Sequence, residues 1–212
     1  MTNGRDQPGR DQPGHDQPGH DRPGHDQPGH DRVGRRAAHF DAWADDQLEQ
    51  LRGNPVADSL FTNASHLGDF SVIWHIIGLA RGLTSDQRAD QAILLSAVLG
   101  VESLVVNQGV KRLFGRIRPT ETGDDRFDIR RPSTSSFPSG HASSAFLAAT
   151  LLTAWAGRRT APVWFATAAI VAVSRVYVRI HHASDVVGGA ALGLGLGAVA
   201  KLVITAASRR SR

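Results

Sequence analysis

Apolar residues in this chain gather into five long stretches between Leu60 and Ala207, separated by short polar segments. The first, about Leu60 to Ala80, is interrupted by His66, Asp69 and His75, and the second, Ala92 to Val110, by Glu102 and Asn107. Ala142 to Ala156, Ala161 to Val178 and Val186 to Ala207 follow. A helix rises about 1.5 Å per residue, so crossing a bilayer takes about 20 residues. Several of these stretches reach that only by including their polar ends. The pattern predicts an all-α, polytopic membrane bundle of about five spans. Lys111, His141, Arg175 and Asp185 stand at those ends, and ionisable residues at a membrane edge face a protein interior or a wet cavity. In the last stretch Gly189, Gly193 and Gly197 fall four apart on the face of Asp185, which allows close approach of a neighbouring helix.

The N-terminal part has the opposite character. From Asp6 a pentapeptide of the form Asp-Gln-Pro-Gly-His recurs, degrading to Asp31-Arg-Val-Gly-Arg35. A unit with Pro, Gly and no aliphatic side chain buries too little surface to offset the entropy of ordering, so residues 1–35 are expected to be a disordered tail. His15, His20, His25 and His30 offer at most weak metal binding, because their spacing fixes no coordination geometry. Residues 36–55 read as an amphipathic helix and linker. Phe40, Trp43, Leu48 and Leu51 sit near helical spacing, and Gly53-Asn54-Pro55 ends the pattern. The helix is expected at the membrane surface, although one packed on the domain would show the same spacing. Residues 56–207 form the membrane domain, and 208–212 a basic tail.

Composition changes the picture in two ways. The mean hydropathy of −0.23 over 212 residues averages two unlike regions and conceals the apolar one. Residues 1–50 hold six Arg against nine Asp and one Glu, a net of −4, leaving +8 for the apolar part. With one Tyr, four Trp and eight Phe there is no basic surface interleaved with aromatics, so nucleic acid is excluded in favour of membrane lipids and phosphate. Cysteine is absent, which removes thiolate chemistry. The start of the chain does not have the form of a secretory signal.

Three polar clusters carry candidate chemistry. Lys111 and Arg118 are seven residues apart, on one face if the second helix continues to Pro119, and two such cations can hold one phosphate. Arg112 and Arg116 read as topology anchors. In Pro138-Ser139-Gly140-His141, Ser139 is a natural N-cap, Gly140 leaves the helix start open to an anion, and His141 stands beside it. In Ser174-Arg175-Val-Tyr-Val-Arg-Ile-His181-His182-Ala-Ser-Asp185, an acid follows a histidine pair by four and three residues. Asp185 can accept from a ring Nδ1–H and leave Nε2 free as a nucleophile, and spacing alone does not choose between His181 and His182. A metal site made from His141, Asp185 and one of the pair is the rival reading. The cations at Lys111, Arg118 and Arg175 would repel a divalent ion, and they already supply its charge.

Together these clusters resemble the three signature motifs of the type 2 phosphatidic acid phosphatase superfamily, in order and with complete internal spacing, over about residues 56–207. The resemblance implies a helical membrane fold and metal-independent hydrolysis of a lipid-linked phosphate monoester or diphosphate, without a cofactor, through a phosphohistidine. It makes His181 the nucleophile, Asp185 its orienting partner and His141 the acid for the leaving oxygen. Lys111, Arg118, Arg175, the Ser139 hydroxyl and the Gly140 amide would bind the phosphoryl oxygens, while His182 takes no part. A vanadate-dependent haloperoxidase and a silent lipid-phosphate-binding scaffold are the alternatives. Arg81, Arg88, Arg158, Arg159, Arg209, Arg210 and Arg212 all fall away from the motifs, so positive-inside reasoning puts the active site on the extracytoplasmic side of a bacterial-type cell membrane.

Overall fold

The computed structural model describes residues 28–119, 127 and 134–210. The repeat units through residue 27 and the charged loop residues Glu121, Asp124, Asp125, Arg126, Asp128, Arg130 and Arg131 lie outside the described residues. Seven helices follow in order: α1 (Pro28–Glu49), α2 (Pro55–Gly68), α3 (Val72–Gly82), α4 (Asp86–Leu104), α5 (Gly140–Ala156), α6 (Ala161–Tyr177) and α7 (Ala183–Arg210). No strand forms among the described residues.

Local sequence explains most boundaries. Asn54 caps α2, its Oδ1 accepting from Val56 N at 3.0 Å, with Pro55 pre-set for the first turn. Ser85 caps α4 and Ser139 caps α5. Gly157, at a φ of 95°, ends α5 in the left-handed region that costs glycine least.

Among the described residues, three helical stretches are long and apolar enough to cross a membrane: Asp86–Leu113, Arg158–Tyr177 and Ala183–Arg210. The first predicted stretch is instead divided. Phe70 and Ser71 take positive φ values of 51° and 60°, which break the backbone between α2 and α3. Those helices have 14 and 11 residues, each too short to span.

At the centre lies α5, touching α4, α6 and α7. Leu147, Leu151 and Leu152 from α5 pack with Trp74, Leu95 and Val171, all buried. Ile93 and Leu104 on α4 and Leu202 on α7 are more than 60% exposed, at 71%, 64% and 69%. Such an outer surface suits lipid, where helices associate by close packing and not by the hydrophobic effect. The seam between α5 and α7 shows that packing. A Cβ at Gly189 would strike the Ser139 carbonyl, one at Gly193 the Ser143 carbonyl, and one at Gly197 would lie 2.9 Å from Thr150 Cβ.

The amphipathic helix starts at Pro28, inside the segment expected to be a tail, and packs against α6 and α7. Its Asp41 is 8% exposed. Asp41 Oδ1 accepts from Ser184 N at 2.7 Å, and Oδ2 from Ser184 Oγ at 2.9 Å. Arg52, just beyond the helix, donates to the carbonyls of Tyr177 and Val176 at 2.9 and 3.1 Å. Of the two placements open to an amphipathic helix, packing on the domain is the one observed.

Candidate active site

Four helix ends converge on the site: the C-termini of α4 and α6 and the N-termini of α5 and α7. The route from Lys111 to Arg118 differs from the single helical face expected. After Leu104 the chain makes a π-turn (Val105–Gly109) and a 3-10 turn (Val110–Leu113), then becomes extended at Phe114 (φ −127°, ψ 139°). Arg118 therefore arrives on an extended strand-like segment, and the residue before Pro119 is in any case disfavoured in helix. Phe114 is held edge-on to Phe137 at 4.8 Å.

Arg118 is 4% exposed and braced by carbonyls. It donates to Thr134 O at 3.1 Å from Nη2 and to Ile180 O at 3.1 Å from Nη1. The same Nη1 lies 3.2 Å from His181 Nε2. A guanidinium can only donate, so Nε2 accepts and the ring proton sits on Nδ1. Nδ1 faces Asp185 Oδ2 at 3.6 Å, an ion-pair separation longer than a hydrogen bond. Burial pushes His181 down to about 3, opposed by Asp185 and reinforced by Arg118, Arg175 and Lys111. The imidazole is thus neutral near pH 7, with its Nε2 lone pair directed to the cations.

Asp185 is fully buried and held on both oxygens. Oδ1 accepts from Arg116 Nη1 at 2.6 Å, while Oδ2 accepts from His182 N at 2.9 Å and faces His182 Nδ1 at 3.3 Å. Arg116 Nη2 also donates to Asp41 Oδ2 at 2.6 Å. Arg116, read from sequence as a topology anchor, instead bridges α1 to the carboxylate beneath His181.

A cavity of about 540 Å³ collects Lys111, Gly140, His141, Arg175 and His181 on its walls. Of the other expected residues, Arg118 reaches His181 at Nε2. Asp185 lies beneath it, and Ser139 is buried with its Oγ on Ala142 N at 3.5 Å, so that hydroxyl serves the helix start. His182 lines a second cavity of about 410 Å³ with Asp41, Arg116 and Arg179, on which His181 also borders. Placement thereby distinguishes the two histidines that spacing left equivalent: only His181 borders the cavity that holds Lys111 and Arg175. Gly140 matters for room. A Cβ there would lie 3.3 Å from Asn107 Oδ1 and 3.9 Å from Lys111 Nζ, filling the space between α5 and the lysine. Arg175, 1% exposed, is anchored by Nη1 on Ser65 Oγ.

Asp69 was not singled out by sequence. Its Oδ1 lies 2.9 Å from His141 Nε2 and 3.9 Å from Arg175 Nη1. It stands on the left-handed break between α2 and α3, where Gly68 allows the ring in, since a Cβ there would be 2.7 Å from His141 Cδ2. The available signal was an acid inside an apolar stretch, which had been counted only against a span.

A basic cavity with two supported histidines, opening among apolar helices, can bind a phosphoryl group and exchange protons with it. Comparisons with known proteins agree. The family model described as the PAP2 superfamily matches residues 91–209. A decaprenylphosphoryl-5-phosphoribose phosphatase of Mycobacterium tuberculosis is 32% identical over 136 residues, 64% of this chain and 73% of its own. The phosphatidylglycerophosphatase B of Bacillus subtilis is 28% identical, over 71% of this chain and 78% of its own. The crystal structure of a transmembrane PAP2 type phosphatidylglycerolphosphate phosphatase from Bacillus subtilis matches with a TM-score of 0.61 at 26% identity, covering 82% of this chain and 87% of that one. The chain belongs to the PAP2 superfamily and is a membrane phosphatase of that family.

Proposed function

We propose that the protein hydrolyses a phosphate monoester carried on a membrane lipid, by way of a phosphohistidine on His181. The observation that carries this reading is the convergence of His181, His141, Lys111 and Arg175 on one cavity among apolar helices. His181 Nε2 attacks phosphorus, the bond to the leaving oxygen breaks, and His141 gives that oxygen its proton. Water then attacks the phosphorus in line with the N–P bond, His141 accepts its proton, the N–P bond breaks with its electron pair returning to His181 Nε2, and inorganic phosphate leaves. Lys111, Arg118, Arg175 and the amides at the start of α5 stabilise charge on the equatorial oxygens, which is the main work of phosphoryl transfer. Asp185 favours the protonated Nδ1 that the N-phosphoryl ring requires. Those cations supply the charge that a metal supplies elsewhere, and the reaction is assigned no metal.

The relatives' names point to prenyl-phosphoryl sugar phosphates and phosphatidylglycerol phosphate as the substrate range. Phosphate release from lipid phosphates by the purified full chain in detergent with excess chelator tests the reading. Activity that survives chelation and traps label on the protein is expected. Activity abolished by chelator, or none on any lipid phosphate, overturns it.

The reading puts the cavity on the extracytoplasmic side. Arg81, Arg88, Arg158, Arg159, Arg209 and Arg210 lie at the helix ends away from it, and positive ends stay in the cytoplasm. Labelling of a Ser211→Cys variant by an impermeant thiol reagent in intact cells would contradict this placement.

A further inference from the structure

Glu102 is 4% exposed, lies on the wall of the large cavity, and its Oε1 has no hydrogen-bond partner among the described residues. The Ser143 hydroxyl stands close to this carboxyl, yet a buried carboxyl oxygen left without a donor is costly, so its retention beside a phosphate site calls for an occupant. The backbone shows how it comes to face the cavity. Glu102 and Lys111 are nine residues apart, and at about 100° per residue an unbroken α-helix would set them on opposite faces. The π-turn at Val105–Gly109 widens the winding between them and brings both to the same cavity. No ion pair closes between the two.

Around Glu102 the wall is polar and small-sided where α3 and α4 are otherwise apolar. Ser96, Gly100, Ser103 and Asn107 line it from α4 and the π-turn, and His75 from α3. His75 Nδ1 lies 2.9 Å from Ser96 Oγ, and Asn107 Nδ2 donates to Ser103 Oγ at 3.1 Å. Hydroxyl, amide and imidazole groups at this depth match a ligand that both donates and accepts. On the reading above, that ligand is the part of the substrate on the leaving-oxygen side of the phosphate.

We infer that this wall is a subsite for a hydroxyl-bearing leaving group, a sugar ring between the scissile phosphate and the lipid, with Glu102 accepting from a ring hydroxyl. The inference rests on the proposed phosphatase reaction. A diacylglycerol leaving group offers ester carbonyls, which only accept. A prenyl phosphate leaving group offers phosphate oxygens, which accept, and no hydroxyl. Phosphatidylglycerol carries one glycerol hydroxyl beside the scissile oxygen, whereas a sugar ring carries several, enough for Glu102 and the small polar side chains around it.

The test measures kcat/KM for phosphate release from farnesylphosphoryl-5-phosphoribose, dioctanoyl phosphatidic acid and farnesyl diphosphate by the full chain in detergent. The wild type is expected to favour the sugar phosphate. Glu102→Leu keeps the reach but loses the oxygens, and is expected to lose about 30-fold or more on that probe and less than about threefold on the others. Glu102→Gln, which retains an acceptor, should recover part of the loss. Ser103→Ala, at an exposed position on the same wall, is a second variant independent of the buried acid, and should lose activity selectively on the sugar probe. Equal loss on all three probes by Glu102→Leu would make Glu102 a charge partner of Lys111 and overturn the subsite alone. So would a wild-type preference for phosphatidic acid or farnesyl diphosphate. A wild type that releases phosphate from none of them overturns the phosphatase reading and the subsite with it.

Discussion

The two histidines of the cavity are supported in different ways. His181 is 3% exposed, its backbone N–H donates to Arg175 O at 3.0 Å, and the carboxylate beneath it is held by Arg116, which α1 holds in turn through Asp41. His141 keeps a 17% exposed side chain in the first turn of α5, and its ring meets a single carboxylate, Asp69, on a left-handed break. A nucleophile must be aimed along one line, so rigidity on the His181 side serves every turnover. On the proposed reading the His141 side faces the leaving group, where Glu102 and the polar wall also lie. Fixed chemistry would then sit between the packed ends of α6 and α7, and selectivity beside the α2–α3 break.

The strongest break in that contrast is His181→Ala. It should lower kcat by at least about 10³-fold and abolish trapped phosphoenzyme, while His182→Ala stays within about threefold, as labelled-phosphate trapping and steady-state rates would reveal. Equal losses in both variants would return the choice to where spacing left it.

The His141 side should break more gently. His141→Ala is expected to cost about 10²- to 10³-fold in kcat with phosphate affinity nearly unchanged, as for loss of a general acid. Asp69→Asn should cost about tenfold and displace the pH–rate profile, because it alters the proton held by His141 and leaves the cations in place. Wild-type rate and profile in Asp69→Asn would reduce the contact to packing.

The smallest effect is expected at the far end of the His181 support. Asp41→Asn keeps the shape and removes the counter-ion of Arg116, so kcat should fall about two- to fivefold with KM unchanged. In Arg116→Gln the same substitution should have no further effect. Additive losses would mean that Asp41 acts on α1 docking alone.

How far the sequence was legible follows the same division. The helical membrane architecture was readable because spans need long apolar runs. The three polar clusters were readable because each sets its residues at short local spacing. The Gly189, Gly193 and Gly197 stripe was readable as a close seam, though its partner, α5, was not. Misreadings arose where the backbone departs from regular winding. Phe70 and Ser71 divide the first stretch, and the π-turn and extended segment replace the helix assumed from Lys111 to Arg118.

Asp41, Asp69 and Glu102 were not legible as site residues. Each is a lone acid, and a lone acid has no periodic or local signature to separate it from a solvated one. Arg116 looked like an anchor for the same reason, until its partners from α1 and α7 were seen.

The sequence by itself determined that this is a helical membrane protein with cations, a capped helix start and a histidine–acid pair suited to phosphate, since periodicity and short spacing act within single segments. Only the tertiary structure decided which histidine borders the cavity that holds Lys111 and Arg175, how Asp185 is clamped, and which acids meet His141 and line that cavity. Those are contacts between residues as much as 143 positions apart, as in Asp41 to Ser184, and they exist only once the helices have packed.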